Sequence, residues 1–382
     1  MTPLAGIGID LYTPSLPAIT NYFGASESLV KLTIAFYLLG YGVGQPFFGT
    51  LSDCYGRKKL LYIGMIFFAV ASFIAVYSSS IHVLLVMRFI QGIGAASSGV
   101  IAKSLVTDSF TGNEINKAST YMSVIWGLGP IVAPAVGGYL QYYFGWTSSF
   151  YLLALYGVAV FILSLLLLPE TNRNLLTLNM RSIFESYKKT LTHLTFLGSI
   201  IGMAIVYSII TIFSVVAPFL IQQVLHFSPI AYGNIALVMG VAYFAGSLFN
   251  RFLIGKLTIY RIIFLANLIS LIVGLLMAFL SLRYAVNIWH IVVPTFIIFF
   301  CGGIIFPNCM TICLSLFVEI AGTASAVMGF LFVIGTSIVS AVASFLETTS
   351  LFPLAISYLL LIVLNLILCA TFLKRSDKLE LV

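Results

Sequence analysis

The chain has 382 residues, 61% of them hydrophobic and 8% charged, with a mean hydropathy of +1.12. Soluble domains carry about 25% charged residues, so no soluble core accounts for this much apolar surface. The net charge of +7 and pI near 9.1 do not point to nucleic acid, because the basic residues are scattered among apolar stretches instead of gathered on one face. A lipid bilayer fits: its hydrocarbon layer is about 30 Å thick, and a helix crosses it in roughly 20 apolar residues.

Apolar stretches fall at about 3–23, 30–51, 60–79, 82–106, 117–140, 146–168, 195–222, 231–250, 261–282, 288–315, 323–346 and 352–373. The opening lacks a basic n-region, and its apolar run continues through Asp10 and two prolines. No cleavable signal peptide is expected, and the first helix stays in the membrane. The longest polar interval, 169–193, carries Glu170, Arg173, Arg181, Glu185, Lys188 and Lys189. It is expected to be a cytoplasmic linker between an N-terminal six-helix bundle, 1–168, and a C-terminal one, 194–382, with a short cytoplasmic tail.

With both termini inside, the inner connections collect Arg57, Lys58, Lys59, Lys117, Arg173, Arg181, Lys188, Lys189, Arg251, Lys256, Arg261, Lys374, Arg375 and Lys378, and the outer ones only Lys31 and Arg283. That asymmetry obeys the positive-inside rule and checks the helix count. An internal echo aligns Gly49, Leu51, Asp53 and Arg57 with Gly246, Leu248, Asn250 and Arg251. Parallel repeats of this kind place a site near the bilayer midplane.

After the second stretch runs Gly49-Thr50-Leu51-Ser52-Asp53-Cys54-Tyr55-Gly56-Arg57-Lys58-Lys59. On its own it is a positive-inside anchor. It also resembles the signature loop of the major facilitator superfamily, G-x-L-x-D-R-x-G-R-[RK], with Cys54 where the first arginine is common. The fourth stretch holds Arg88-Phe89-Ile90-Gln91-Gly92-Ile93-Gly94. The fifth holds Gly127-Leu128-Gly129-Pro130, Ala133-Pro134 and Gly137-Gly138. Together with Asp10-Leu11-Tyr12-Thr13-Pro14-Ser15-Leu16-Pro17, Pro169-Glu170-Thr171 and Gly322-Thr323-Ala324-Ser325-Ala326, these resemble the Bcr/CflA subfamily of bacterial multidrug transporters over nearly the whole chain.

The resemblance implies an all-α major facilitator fold of twelve transmembrane helices in two parallel six-helix pseudo-repeats. It also implies a multi-pass inner-membrane protein, monomeric, exchanging protons for small amphipathic substrates, with the proton gradient as energy source and no cofactor. There are departures. The family begins its first helix some ten residues earlier, so Met1-Thr2-Pro3 is expected to be a misplaced start or a truncation, which local bilayer thinning accommodates. Thr107 precedes Asp108 where an arginine is expected, and Cys54 removes another, which thins the charge network of the inner gate.

Asp10 is the carboxylate that falls well inside a crossing, where a charge costs about 2.5–3.5 kcal/mol on insertion scales. One reading is local: Pro14 lacks the N–H that would bond the carbonyl of residue 10, so Asp10 serves a solvated kink. The other is functional: desolvation favours its protonated form and a nearby cation or cationic substrate its ionised form, so proton and substrate compete. Arg88 stays charged when buried and requires an acceptor or water. It either snorkels to the outer interface or, as the resemblance implies, faces the central cavity and is linked to coupling. Gln91, one turn on, bonds Arg88, a substrate or a neighbouring helix.

Gly92 with Ala96 and Gly94 with Ser98 have small-xxx-small spacing for close helix approach. Pro130 and Pro134 free the carbonyls of Trp126 and Pro130, giving a bent, tightly packed helix with Gly127, Gly129, Gly137 and Gly138. The resemblance adds that this helix seals against leak and makes the protein an exporter. At the inner face, Asp53 and Arg57 are expected to form with Asp108 an ion-pair network that biases two states of similar energy. Gly49, Gly56 and Lys58 complete that loop.

Asn308, after Pro307, either lines the cavity or packs the bundle. Among the aromatics, Tyr12 and Tyr37 are the candidates for a substrate surface, with Tyr207 and Phe299 behind them. Cys309 and Cys313 are buried thiols, the four histidines are interfacial, and no metal site is expected. No phosphate loop, zinc cluster or Ser/His/Asp set is visible, which argues against an enzyme or a self-contained ATP pump. A dedicated metabolite transporter, for a siderophore for instance, is the runner-up; a passive channel or a non-transporting receptor is the third reading.

Overall fold

Hydrocarbon offers no partner for a backbone N–H or C=O, so a span must satisfy its own main chain. The computed structural model describes residues 1, 3–110, 113–172, 190–317 and 321–371, and its spans are helical. They are α1 (Leu4–Asp10), α2 (Leu16–Phe23), α3 (Glu27–Tyr55), α4 (Arg57–Val76), α5 (Ile81–Ser109), α6 (Asn113–Phe144), α7 (Thr147–Leu167), α8 (Leu194–Phe219), α9 (Pro229–Leu253), α10 (Ile259–Arg283), α11 (Ile288–Ser315), α12 (Ala321–Ala343) and α13 (Phe352–Thr371).

Because α1 and α2 are two parts of one crossing, the described helices make twelve spans, the number that the resemblance implies. Nine of the described helices are by themselves long and apolar enough to cross a membrane. Of the other crossings, the first is divided, and α3 is diluted by glycine, tyrosine, glutamine and an internal proline. Helix starts are marked by side-chain acceptors, Ser26 for Leu29 N, Ser80 for Val83 N, Thr258 for Arg261 N and Asn287 for Trp289 N. Residues 173–189, with Arg173, Arg181, Glu185, Lys188 and Lys189, lie outside the described residues, as do the tail with Lys374, Arg375 and Lys378 and the side chain of Thr323.

The first crossing differs from the single helix expected over 3–23. Pro14 brings no N–H to the carbonyl of Asp10, and the Thr13 hydroxyl takes that carbonyl at 2.9 Å. The chain then makes a 3-10 turn, Thr13–Ser15, before α2 begins at Leu16 with Pro17 in its first turn. Lys31 also differs. Instead of standing in an outer connection it is buried in α3, its ammonium 3.2 Å from Glu27 one turn earlier.

The helices form two compact units: Met1–Met180 with Pro229–Asn234, and Arg181–Ser228 with Ile235–Val382. In the first, α5 packs chiefly on α3 and α4, and α4 on α7. In the second, α8 is the most enclosed span and packs on α11, α12 and α13, while α10 packs on α11 and α13.

The closest approaches run through glycines. A Cβ on Gly92 of α5 would lie 2.8 Å from the Tyr41 nitrogen and 3.0 Å from the Tyr37 carbonyl carbon of α3. In the second unit a Cβ on Gly303 of α11 would lie 3.0 Å from the Ser247 nitrogen and 2.9 Å from the Tyr243 carbonyl carbon of α9. Gly40 against Phe89 and Gly246 against Phe300 repeat the correspondence. The internal repeat is therefore real, but its register is not that of the sequence echo: Gly246 answers Gly40, not Gly49, because main-chain contact, rather than the loop residues, is what duplicates.

Adding an isopropyl group at such a contact forces backbone to move, at about 1–3 kcal/mol or more. Gly92→Val is expected to lower the melting temperature of the detergent-purified protein more than Gly49→Val, since a Cβ at Gly49 meets only Val100 at 3.6 Å; thermal unfolding of both variants checks this.

Candidate functional site

The division of the first crossing leaves carbonyls at the C-terminal end of α1 without helical partners. Leu11 N takes that of Ile7 at 3.0 Å and Thr13 that of Asp10. The Gly8 carbonyl is taken by Arg88 of α5, whose Nη2 donates to it at 2.9 Å. Arg88 is fully buried, so it does not snorkel to the interface. Its guanidinium carbon lies 4.2 Å from the ring centre of Tyr12 and 4.3 Å from that of Tyr37, with Phe150 of α7 at 5.9 Å. A desolvated guanidinium over an aromatic face is worth about 2 kcal/mol, and this one is enclosed by two such faces.

Both tyrosines are themselves fixed. The hydroxyls of Tyr12 and Thr33 share a hydrogen bond of 2.6 Å, and Tyr37 donates to the Ala5 carbonyl at 3.1 Å. In this conformation they enclose Arg88 instead of lining an open cavity. Gln91 accepts a hydrogen bond from Arg88 Nη1 and passes the chain on, donating to Ser72 Oγ at 2.6 Å; Ser72 in turn donates to the Phe68 carbonyl. Asp10 ends α1 two residues beyond Gly8, is 9% exposed, and acts electrostatically on the phenols of Tyr12, Tyr37 and Tyr232.

A second cluster lies where α3 gives way to α4. Gly56 turns the chain with φ +96°, a conformation that disfavours any side chain. Arg57 then ion-pairs with Asp53 one turn back, donates from Nε to Asp108 at 3.1 Å and from Nη1 to Ser52 at 2.7 Å. Glu170 accepts the first two amides of α4, Arg57 N at 3.0 Å and Lys58 N at 3.1 Å, and so caps a helix from 113 residues away. Thr171 donates to Asp108 at 3.1 Å, and Asn172 to the carbonyls of Ser52 and Asp53. Thr107 turns back on its own helix, donating to the Ser104 carbonyl.

Along α6, a Cβ on Gly129 would lie 2.7 Å from Pro3 and 3.2 Å from Ile7, and the Pro130 ring packs on Gly6. Gly137 meets the Leu11 carbonyl, and a Cβ on Gly138 would lie 2.6 Å from that of Pro229 in the first turn of α9. There Gly233 faces the Pro134 carbonyl. A Cβ on Gly127 would meet nothing within 4 Å among the described residues, so Gly127 takes no part in this packing. Asn308 belongs to neither cluster. It is buried in the second unit and donates to Asn250 at 2.8 Å and to the Ile304 carbonyl at 2.7 Å.

Residues 2–340 match the Major Facilitator Superfamily. The chain belongs to that family of membrane transporters. Among its relatives, an uncharacterized MFS-type transporter, YdgK, of Bacillus subtilis is 31% identical over 91% of this chain and 87% of its own length. Multidrug resistance protein D of Escherichia coli is 27% identical over 89% of this chain and 85% of its own. The fold is shared with the inward-facing, unoccupied crystal structure of a bacterial homolog to the human lysosomal transporter Spinster, with TM-score 0.74, 16% identity, and coverage of 98% of this chain and 95% of that one.

The transporter's sequence did not disclose Glu170 as a helix cap, Asn172 as the clasp on the α3 end, or Ser72 as the terminus of the Arg88 chain. The spacing S/T-x-x-E that announces a local cap is missing because the capping carboxylate comes from the far side of the unit.

Replacing Arg88 by Lys keeps the charge but not the flat fork, so stacking and one of the two acceptor bonds are lost at about 1–3 kcal/mol; a lowered melting temperature in detergent is the expected reading. Glu170→Ala is expected to cost about 1 kcal/mol and to speed amide hydrogen exchange in the first turn of α4 while leaving that of α5 unchanged.

Proposed function

We propose that this transporter exports drugs or other small amphipathic molecules by alternating access, driven by entry of protons, as a monomer in the bacterial inner membrane with both termini in the cytoplasm. On this reading 1–168 and 194–382 are its two halves and 169–193 the cytoplasmic linker. The observation that carries the proposal is a buried carboxyl, Asp10, at a broken helix end whose neighbouring carbonyl is held by a caged, permanently charged Arg88.

Arg88 does not give up its proton, so the titrating role falls to Asp10. With Asp10 ionised, the acid and the guanidinium offset each other and the site admits a cation beside the carboxylate. With Asp10 protonated, the fixed positive charge of Arg88 repels one. A proton and a substrate that each lower their energy at Asp10 therefore exclude each other, and exchange of one for the other couples their movements. The Arg57 pairs to Asp53 and Asp108 are exposed enough to be worth under about 1 kcal/mol each, suiting a gate that opens and closes. The tight main-chain contacts of α6 support a seal against leak. The drug as substrate class is supported by relatives such as multidrug resistance protein D.

In everted vesicles, wild-type protein is expected to dissipate a pre-formed pH gradient on addition of a lipophilic cationic dye, and Asp10→Asn, which leaves Arg88 without an opposing charge, to reduce the effect at least tenfold and to weaken dye binding. Unchanged dye extrusion in Asp10→Asn removes the coupling role. Extrusion that survives an uncoupler removes proton drive altogether. A panel in which only an iron-chelating metabolite gives a signal turns the assignment to a dedicated exporter.

A further inference from the structure

The repeat register carries a second comparison. The interval that takes Gly92 to Gly303 and Phe89 to Phe300 also takes Arg88 to Phe299 and Gln91 to Gly302. Where the first unit fills its interior with a guanidinium and an amide, the second has a phenyl ring and a hydrogen atom. A cavity of about 10 Å3 lies at that place, lined by Asn267 and Ser270 of α10, Phe299 and Gly302 of α11, and Ile362 and Asn365 of α13.

Its polar lining is deeply buried: Asn267 is 1%, Ser270 2% and Asn365 2% exposed. Asn365 Nδ2 donates to Asn267 Oδ1 at 3.1 Å, Asn267 Nδ2 to the Ile263 carbonyl at 2.9 Å, and Ser270 Oγ to the Ala266 carbonyl at 2.9 Å. Asn365 Oδ1 has no hydrogen-bond partner among the described residues. Buried acceptors are almost always satisfied, and the Asn365 side chain lines a space of the size that holds one water.

We infer that the interior of the second unit is a binding site for a single structural water, held by Asn365 Oδ1 and Ser270 Oγ as acceptors and by a free amide hydrogen of Asn267 or Asn365 as donor. Three partners are the usual complement of a buried water. A metal cation does not suit the place, because the lining offers three neutral side-chain oxygens and no carboxylate, and the rest is apolar. The water stands in for the polar groups that the first unit supplies from its own side chains.

Pulsed hydroxyl-radical footprinting of the full chain in nanodiscs tests this, since a buried ring is oxidised quickly only when a bound water lies beside it. Phe299 and Ile362 are expected to be modified several-fold faster than Phe196, which is buried in the same unit away from the cavity. Asn365→Leu and the milder Ser270→Ala are each expected to bring that rate down toward the Phe196 level. Equal rates at Phe299 and Phe196 in the wild type overturn the inference, and so do rates that neither substitution alters. Replacement of sodium by choline is expected to change nothing; a sodium-dependent melting temperature that Asn365→Leu abolishes overturns it in favour of a cation.

Discussion

A guanidinium cannot shed its charge to suit an apolar interior, and Arg88 sits wholly inside the first unit. Most of what surrounds it follows from that. Acceptors have to come from main chain that is not already committed to a helix, and the divided first crossing supplies one at Gly8. The remaining stabilisation comes from two aromatic faces and from an amide chain that ends on the main chain of α4. One side chain thereby ties together α1, α3, α4, α5 and α7. The broken helix and the buried cation answer each other: without the break the charge would lack an acceptor, and without the charge the break would leave a carbonyl in hydrocarbon.

The two polar clusters of the first unit are built to opposite ends. Around Arg88 solvent is excluded, so each electrostatic contact is strong. Around Arg57 the partners are partly wet and individually weak, and the strength lies in their number: two carboxylates, a serine and a helix terminus capped by Glu170. The proposed roles suit this division: a gate needs contacts that are made together and released together, whereas a coupling site needs a charge that keeps its place through the cycle.

Much of this was legible in the sequence, and the rest was hidden for physical reasons. The twelve spans were visible because a bilayer imposes length and hydropathy on every crossing. The Asp53, Arg57 and Asp108 network could be anticipated from charges at the ends of successive spans. The cage of Arg88 could not, because Tyr12 and Tyr37 are indistinguishable in composition from the many aromatics that face lipid. The same blindness affected Lys31, whose charge suggested a loop although its stem is long enough to lie within the bundle and reach Glu27. The repeat register was misplaced by the loop residues, which look alike in sequence, while the duplicated feature is a glycine at a main-chain contact. Glu170 was opaque because capping across the unit leaves no local pattern.

The contact of α3 with α5 has one more implication. Where Gly40 and Gly92 bring main chain against main chain, there are no rotamers to yield, and the two helices carry load as a single stiff spar. Among the places where the helical ladder of this unit lapses are Leu11–Tyr12 and Gly56, which adjoin the two polar clusters. A small rotation at either joint is delivered along the spar with little loss, as a lever delivers force from its pivot.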